Sequence, residues 1–193
     1  MNLEALFALF ERARLETGHR EFVVVGSLSI LGLSEHFDVP GDMTMSNDVD
    51  CFTRLDPERI FDLAGTLGEN SPHHLEFGYY LDGVSPALPS LPEGWRDRLI
   101  RVERNGIGLS FLDPADAALS KYARGEPRDR RWIRAGLRTG AISLPLVRSR
   151  FPSVVFLDDD EQARARGLMD EDAAWLTEPA AGPGKARRRR PSP

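Results

Sequence analysis

The sequence predicts an α/β (α+β) protein with a mixed β-sheet flanked by helices and a C-terminal helical extension. Three observations support this class. Short apolar runs typical of buried strands alternate with helical patterns through the first half of the chain. Asn105-Gly106 separates two apolar runs and predicts a β-hairpin. After Asp113-Pro114, the periodicity is helical as far as Trp175.

Apolar periodicity, capping residues and turn residues predict the elements of the first half. In order, they are a helix from Leu3 to near Gly18, a strand Phe22 to Val25, a helical stretch Leu28 to Leu33, a loop Ser34 to Asn47, a strand Val49 to Phe52, a helix from Asp56-Pro57 to about Leu67, and an extended segment Glu76 to Val84.

The elements of the second half are predicted in the same way. His73-His74, which lie before it in the chain, are interpreted as a surface loop. In order, the second half contains a Pro-rich loop Ser85 to Gly94, strands Leu99 to Glu103 and Ile107 to Leu112, and helices Ala115 to Arg124, Arg128 to Arg138, Leu144 to Arg150 and Asp159 to Trp175, the last broken near Gly167.

The composition, 41% hydrophobic and 28% charged over 193 residues, is typical of a globular protein with a substantial core. No apolar run approaches the roughly 20 residues that span a bilayer, and the acidic residues of Met1 to Thr17 are unlike a signal peptide. We therefore expect a cytoplasmic protein with no membrane partner. The single cysteine, Cys51, excludes an internal disulfide and is expected to be a small core residue.

We expect an α/β core in residues 1–113, a helical subdomain in 114–177 and a disordered basic tail in 178–193. The net charge is −5, although Lys185 and Arg187 to Arg190 add five positive charges near the C-terminus. Such a tail either binds a nucleic-acid backbone or keeps the protein in solution. The acidic remainder of the chain argues against binding to an extended duplex, but not against docking one end of an RNA.

Gly26-Ser27 and Asp48-Val49-Asp50 carry the strongest chemical signal. Gly26-Ser27 turns the chain from a strand into a helical stretch, and the helix N-terminus at such a turn can hold a phosphate. Asp48 and Asp50 alternate along a strand, so that both carboxylates point to one face. A carboxylate pair beside a phosphate-binding turn suits a Mg²⁺-bound nucleotide. Each motif alone is more often an ordinary turn or a solvated loop.

Lys121 and Arg124 are three residues apart and therefore lie on one helix face. Facing the acidic strand, they would neutralise the charge of a triphosphate. The alternatives are a solvated amphipathic helix, and an Asp129 that orients Lys121 or Arg124 without touching substrate. The chain contains neither a P-loop motif nor a Gly-x-Ser-x-Gly elbow, which removes those two classes.

Gly26-Ser27, the stretch Ser46 to Asp50 and the stretch Leu119 to Asp129 together resemble the motifs of nucleotidyltransferase-fold proteins of the abortive-infection toxin type. They look closest to an uncharacterised bacterial branch of that superfamily. The stretches Phe77 to Val84 and Leu91 to Arg98 are similar to the same branch. The resemblance covers roughly residues 20 to 135, and the order and spacing of its motifs are its most specific features.

The resemblance implies a metal-dependent nucleotidyltransferase. In that interpretation Gly26 allows close backbone approach and Ser27 contacts the nucleotide phosphates. Asp48 and Asp50 hold divalent cations, Mg²⁺ or Mn²⁺, and an NTP is the substrate. The acceptor is a tRNA end or a protein side chain, within a toxin–antitoxin or phage-defence system. The alternative is a catalytically silent protein of the same fold that binds a nucleotide or a cognate partner protein.

The resemblance also implies that Lys121 stabilises charge on the phosphates and that Asp129 belongs to the same motif. Active members use a third carboxylate on a neighbouring strand. Asp82 is the first candidate for this carboxylate and Glu103 is the alternative, and neither stands in a clear motif. Without a third acid, the site would bind a nucleotide but lack an efficient base.

Overall fold

The computed structural model describes residues 1–178. The predicted disorder of the basic tail, 178–193, lies outside the described residues except for Glu178. Among the residues described, no helix is both long enough and apolar enough to cross a bilayer.

A five-stranded mixed sheet forms the centre of the protein, which confirms the predicted fold class. Its strands are β1 (Glu21–Val24), β2 (Asp48–Thr53), β3 (Tyr80–Gly83), β4 (Ile100–Arg104) and β5 (Ile107–Phe111), in the order β3-β2-β1-β5-β4. The central strand β1 pairs antiparallel with β2 and parallel with β5. At the edges, β3 is parallel to β2 and β4 is antiparallel to β5.

The helices enclose this sheet and supply much of the apolar core. They are α1 (Leu3–Thr17), α2 (Ala64–Leu67), α3 (Pro72–Phe77), α4 (Pro114–Arg124), α5 (Pro127–Thr139), α6 (Leu144–Arg150) and α7 (Asp159–Thr177). Helix α4 packs against α5, α6 and α7. Because every residue of β5 is buried and nine of the eleven residues of α4 are buried, these two elements lie at the centre of the core. Cys51 is buried, as expected.

Several local predictions are confirmed together with their physical causes. Asn105 and Gly106 both have positive φ, 52° and 74°, as the tight turn between β4 and β5 requires. The Asp113 side chain accepts a hydrogen bond from the Ala115 amide, and Pro114 opens α4. Gly18 ends α1 in the left-handed conformation.

The segment predicted to be extended from Glu76 is wrong in its first part. The chain instead forms α3, and the strand begins only at Tyr80. The Ser71 hydroxyl caps α3 by accepting from the His74 amide, and Gly78 ends the helix with a φ of 77°. The predicted surface loop at His73-His74 is therefore also wrong, and the His73 side chain is buried.

Two other helix predictions are corrected. The segment after Asp56 is a 3-10 helix over Pro57–Leu63 before α2 begins, and the Asp56 side chain makes no capping hydrogen bond. The break near Gly167 is absent, and α7 is continuous. The helical stretch predicted from Leu28 to Leu33 is present, as a 3-10 helix over Ser27–Leu33.

Candidate active site

Three carboxylates meet at the β2–β3 end of the sheet. Asp48 and Asp50 project from the same face of β2, and the parallel register places Asp82 of β3 opposite Asp50. One oxygen from each of the three carboxylates lies within 4.8 Å of the others. The alternative third acid, Glu103, lies on β4 at the opposite edge of the sheet, where Arg101 donates to it at 3.1 Å.

Gly26 brings the end of β1 directly against this acidic cluster. A Cβ atom built at Gly26 would stand 1.8 Å from Asp50 Oδ2, and the glycine has a φ of 62°. Both facts exclude a larger side chain there. The Val25 amide donates to the Asp50 carbonyl oxygen at 2.9 Å, which fixes the turn relative to β2.

The acidic cluster is not neutralised by the residues around it. Burial is the largest cause of the raised pKa of Asp50, which is about 6, and repulsion from Asp48 and Asp82 adds to the shift. Burial also raises the pKa of Asp82, and repulsion from Asp48 and Glu69 adds to this shift. An additional cation at this position would lower both pKa values. The Ser46 hydroxyl donates to Asp48.

Lys121 connects the Gly-Ser turn to the helical half of the molecule. Its ammonium group donates to Ser27 Oγ at 2.8 Å and to Asp129 Oδ1 at 3.1 Å. Arg124 donates to both Asp129 oxygens, at 2.7 and 2.5 Å. These are the charged hydrogen bonds by which Asp129 orients the two cations, one of the two arrangements open from sequence.

Burial strongly affects this cation group. Burial lowers the pKa of Lys121 although Asp129 opposes the shift. Burial raises the pKa of Asp129, but the hydrogen bond from Arg124 and the charge of Lys121 outweigh it and lower the pKa overall. Asp129 is therefore a carboxylate neutralised by two cations, whereas the pKa values of Asp50 and Asp82 are raised.

Residues 4–177 match the family described as "Nucleotidyltransferase of unknown function (DUF6036)". The chain belongs to this family. The match extends from α1 to the end of α7 and includes each side chain of the acidic cluster and the cation group. It confirms the resemblance to the nucleotidyltransferase superfamily. No curated protein and no solved structure matches the chain at a significant level.

A cavity of about 470 Å³ opens beside Asp50 in this nucleotidyltransferase family member. Its polar wall includes Gly26, Lys121 and Arg124, and its apolar wall includes Leu91 and Leu157. A cavity of this size with one charged and one apolar wall is suited to a nucleotide. The sequence pattern did not indicate that the Pro-rich loop and α7 would line it, because both pack there through contacts distant in sequence.

Trp132 contacts the Gly-Ser turn through its indole N–H group. Its indole N–H lies 3.1 Å from the carbonyl oxygens of both Ser27 and Met43. The Lys121 ammonium also lies 4.9 Å from the Trp132 ring centroid. Nothing in the sequence pattern of α5 indicates these carbonyl partners.

Proposed function

We propose that the protein transfers a nucleoside monophosphate from a metal-bound NTP to an acceptor hydroxyl. The observation that carries this proposal is the acidic cluster of Asp48, Asp50 and Asp82, which lies against Gly26 and opens into a cavity that Lys121 also lines. Family membership supports the same conclusion. The substrate, the metal and the acceptor are inferred from the chemistry of these groups.

The acidic cluster fits Mg²⁺ or Mn²⁺. All three donors are carboxylate oxygens, the ligand type that hard divalent cations prefer. Burial and repulsion from Asp48 and Asp82 raise the pKa of Asp50 although Lys121 and Arg124 oppose the shift, so a cation bound here would relieve the repulsion within the cluster. When bound, the cation neutralises charge on the triphosphate and on the attacking oxygen.

The triphosphate is expected to follow the turn at Gly26. Gly26 and Lys121 both line the cavity beside Asp50, and the adjacent Ser27 hydroxyl lies 2.8 Å from Lys121 Nζ. The absence of a side chain at Gly26 makes room for the Asp50 carboxylate, which brings the proposed cation next to this turn. In our proposal Lys121 and Arg124 stabilise the negative charge that develops on the leaving group. Asp129 acts as a positioning residue, because its oxygens are occupied by these two cations.

In the proposed reaction the acceptor oxygen attacks the α-phosphorus of the NTP. The bond between that phosphorus and the bridging oxygen of the β-phosphate breaks, and pyrophosphate leaves. Asp82 accepts the proton of the acceptor hydroxyl, because it is the most exposed acid of the cluster. The acceptor carries a hydroxyl, as a tRNA end or a protein side chain does. A toxin–antitoxin or phage-defence role is part of this proposal and rests on the resemblance.

The proposal is tested by incubating the protein with Mg²⁺, each α-phosphate-labelled NTP in turn, and either total tRNA or a protein extract. The comparison is between the wild type and Asp48→Asn/Asp50→Asn. Asp62→Asn/Asp170→Asn removes the same charge from exposed salt bridges and is the matched control. We expect transfer with the wild type and the control only.

Transfer that persists in Asp48→Asn/Asp50→Asn would contradict the proposal. So would the absence of transfer to any acceptor while a fluorescent NTP still binds, a result that would favour the catalytically silent alternative.

A further inference from the structure

A second groove, of about 510 Å³, lies beside the cation group, on α5. The Lys121–Asp129 ion pair separates the two spaces, because Lys121 lines the first cavity and Asp129 lines this groove. Ser27 also lines it. The groove therefore adjoins the proposed triphosphate site without overlapping the space assigned to the nucleotide.

The wall of the groove that α5 forms is strongly basic, and the acidic residues that line the groove are Asp42 and Asp129. Arg128, Arg131, Arg134 and Arg138 all line it from α5. Their spacing of three, three and four residues puts them on one helix face. From the first to the last, the row is about 15 Å long, at 1.5 Å per helical residue.

Two of these arginines have acidic partners and two do not. Arg128 pairs with Glu126 and Arg134 pairs with Asp172. Within residues 1–178, neither Arg131 nor Arg138 has a carboxylate within 4.0 Å, and both are exposed. Arg138 is held over the Trp175 ring, 4.6 Å from its centroid, and is therefore partly pre-oriented.

The other end of the groove reaches the acidic cluster. Ser46 lines the groove, and its hydroxyl donates to Asp48. Next to it, the Met45 side chain is 76% exposed and also lines the groove. An exposed apolar side chain between arginines and the reacting centre offers a surface for a nucleobase.

We propose that this groove binds the phosphodiester backbone of a single-stranded nucleic acid and directs its terminal hydroxyl to the acidic cluster. The inference rests on the proposed function and names the acceptor class. Unpaired guanidinium groups on one face favour a polyanion over a neutral protein loop. The groove volume suits one or two nucleotides of a strand and not a duplex.

The test measures binding of a short fluorescein-labelled single-stranded RNA by anisotropy over a range of salt concentrations, without NTP. The variant is Arg131→Gln/Arg138→Gln in the full chain, which leaves the other basic residues unchanged. Arg96→Gln/Arg166→Gln is the matched control, because it removes two arginines that lie over aromatic rings, as Arg138 does, but do not line the groove.

We expect the groove variant to bind this RNA roughly tenfold more weakly than the wild type, with a slope of log affinity against log salt reduced by about 1.4, or 0.7 per lost phosphate contact. The control should match the wild type. In the transfer assay, the KM for RNA should rise in the groove variant while kcat and fluorescent-NTP affinity stay unchanged.

Equal RNA affinity and salt slope in the groove variant and the control would overturn the inference. So would a wild type that does not bind RNA, or efficient labelling of a protein acceptor that the groove variant leaves intact. Failure of the proposed function is seen separately, as loss of Mg²⁺-dependent NTP binding or transfer while RNA binding still depends on Arg131 and Arg138.

Discussion

Asp172 and Asp50 are both carboxylates removed from bulk water, but their surroundings differ. The fully buried Asp172 accepts hydrogen bonds from Tyr122 at 3.0 Å, from Arg134 at 2.8 Å and from Arg130 at 3.2 Å. Asp50 instead faces Asp48 and Asp82, and within residues 1–178 no donor bonds its carboxylate. The contrast separates a carboxylate that joins α4, α5 and α7 from one whose charge is available to an external cation.

Asp116 resembles Asp172 in its surroundings, although it lies in another part of the fold. It is fully buried, and it accepts from Arg98 at 2.9 Å and from Arg150 at 2.8 Å. At both Asp116 and Asp172, the protein therefore neutralises a fully buried carboxylate with two arginines. The uncompensated acidic cluster is an exception, and such exceptions occur at functional sites.

The largest expected effect is the loss of transfer activity in Asp50→Asn. An amide cannot supply the negative charge that holds the cation, so we expect activity to fall by about 10³-fold or more, equivalent to about 4 kcal/mol. The same charge removal in Asp172→Asn should leave the rate per folded molecule unchanged. Initial rates corrected for the folded fraction measure both. Equal losses of transfer activity in the two variants would show that Asp50 is no more important for the reaction than Asp172.

The next largest effect is on stability in Asp172→Asn. The substitution leaves the Tyr122 hydroxyl, Arg130 and Arg134 with a weaker partner, and we expect the free energy of unfolding to fall by about 3 kcal/mol. Urea denaturation followed by circular dichroism measures the change. Asp170→Asn, which removes an exposed carboxylate two residues away on α7, should cost less than about 1 kcal/mol. An Asp172→Asn protein as stable as the wild type would contradict a structural role.

Asp50→Asn should have the opposite effect on stability. In metal-free buffer at pH 8, removing the repulsion from Asp48 and Asp82 should raise the free energy of unfolding by about 2 kcal/mol. Added Mg²⁺ should stabilise the wild type more than the variant. Thermal unfolding with and without chelator tests this, and a destabilised Asp50→Asn protein in chelator would show that its charge supports the fold.

The smallest effect is on the pH dependence of stability. The pKa of Asp50 is about 6 in the folded protein, above its usual value of 3.8. The folded state therefore binds more protons between these values, and this contribution to stability is fully present below pH 4 and is lost as pH rises through 6. Between pH 5 and 7, the metal-free wild type should lose about 1 kcal/mol relative to Asp50→Asn. Parallel stability curves for the two proteins would contradict the raised pKa.

The sequence predicted the elements whose causes are local. Asn105-Gly106 specifies a turn and Asp113-Pro114 a helix start because each acts on its own backbone. The prediction of an extended chain from Glu76 is wrong because Tyr79, Tyr80 and Leu81 favour a strand, whereas Ser71 and Pro72 begin α3 and Gly78 ends it.

The site was partly visible from sequence for the same reason. Asp48 and Asp50 lie two residues apart on one strand, so their shared face follows from strand geometry. The proximity of Asp82 depends on the pairing of β2 with β3, which no local pattern encodes. The same holds for Asp172, whose partners lie on α4 and α5. A sequence pattern therefore indicates which residues share a face within one strand, whereas contacts between distant segments are seen only in the fold.

The most direct test is a crystal structure with Mn²⁺ and a non-hydrolysable NTP, with the metal located by its anomalous scattering. We expect a manganese peak bonded to carboxylate oxygens of Asp48, Asp50 and Asp82, with the triphosphate beside Gly26 and Lys121. Manganese bound elsewhere, or a nucleotide that makes no contact with this cluster, would contradict the account.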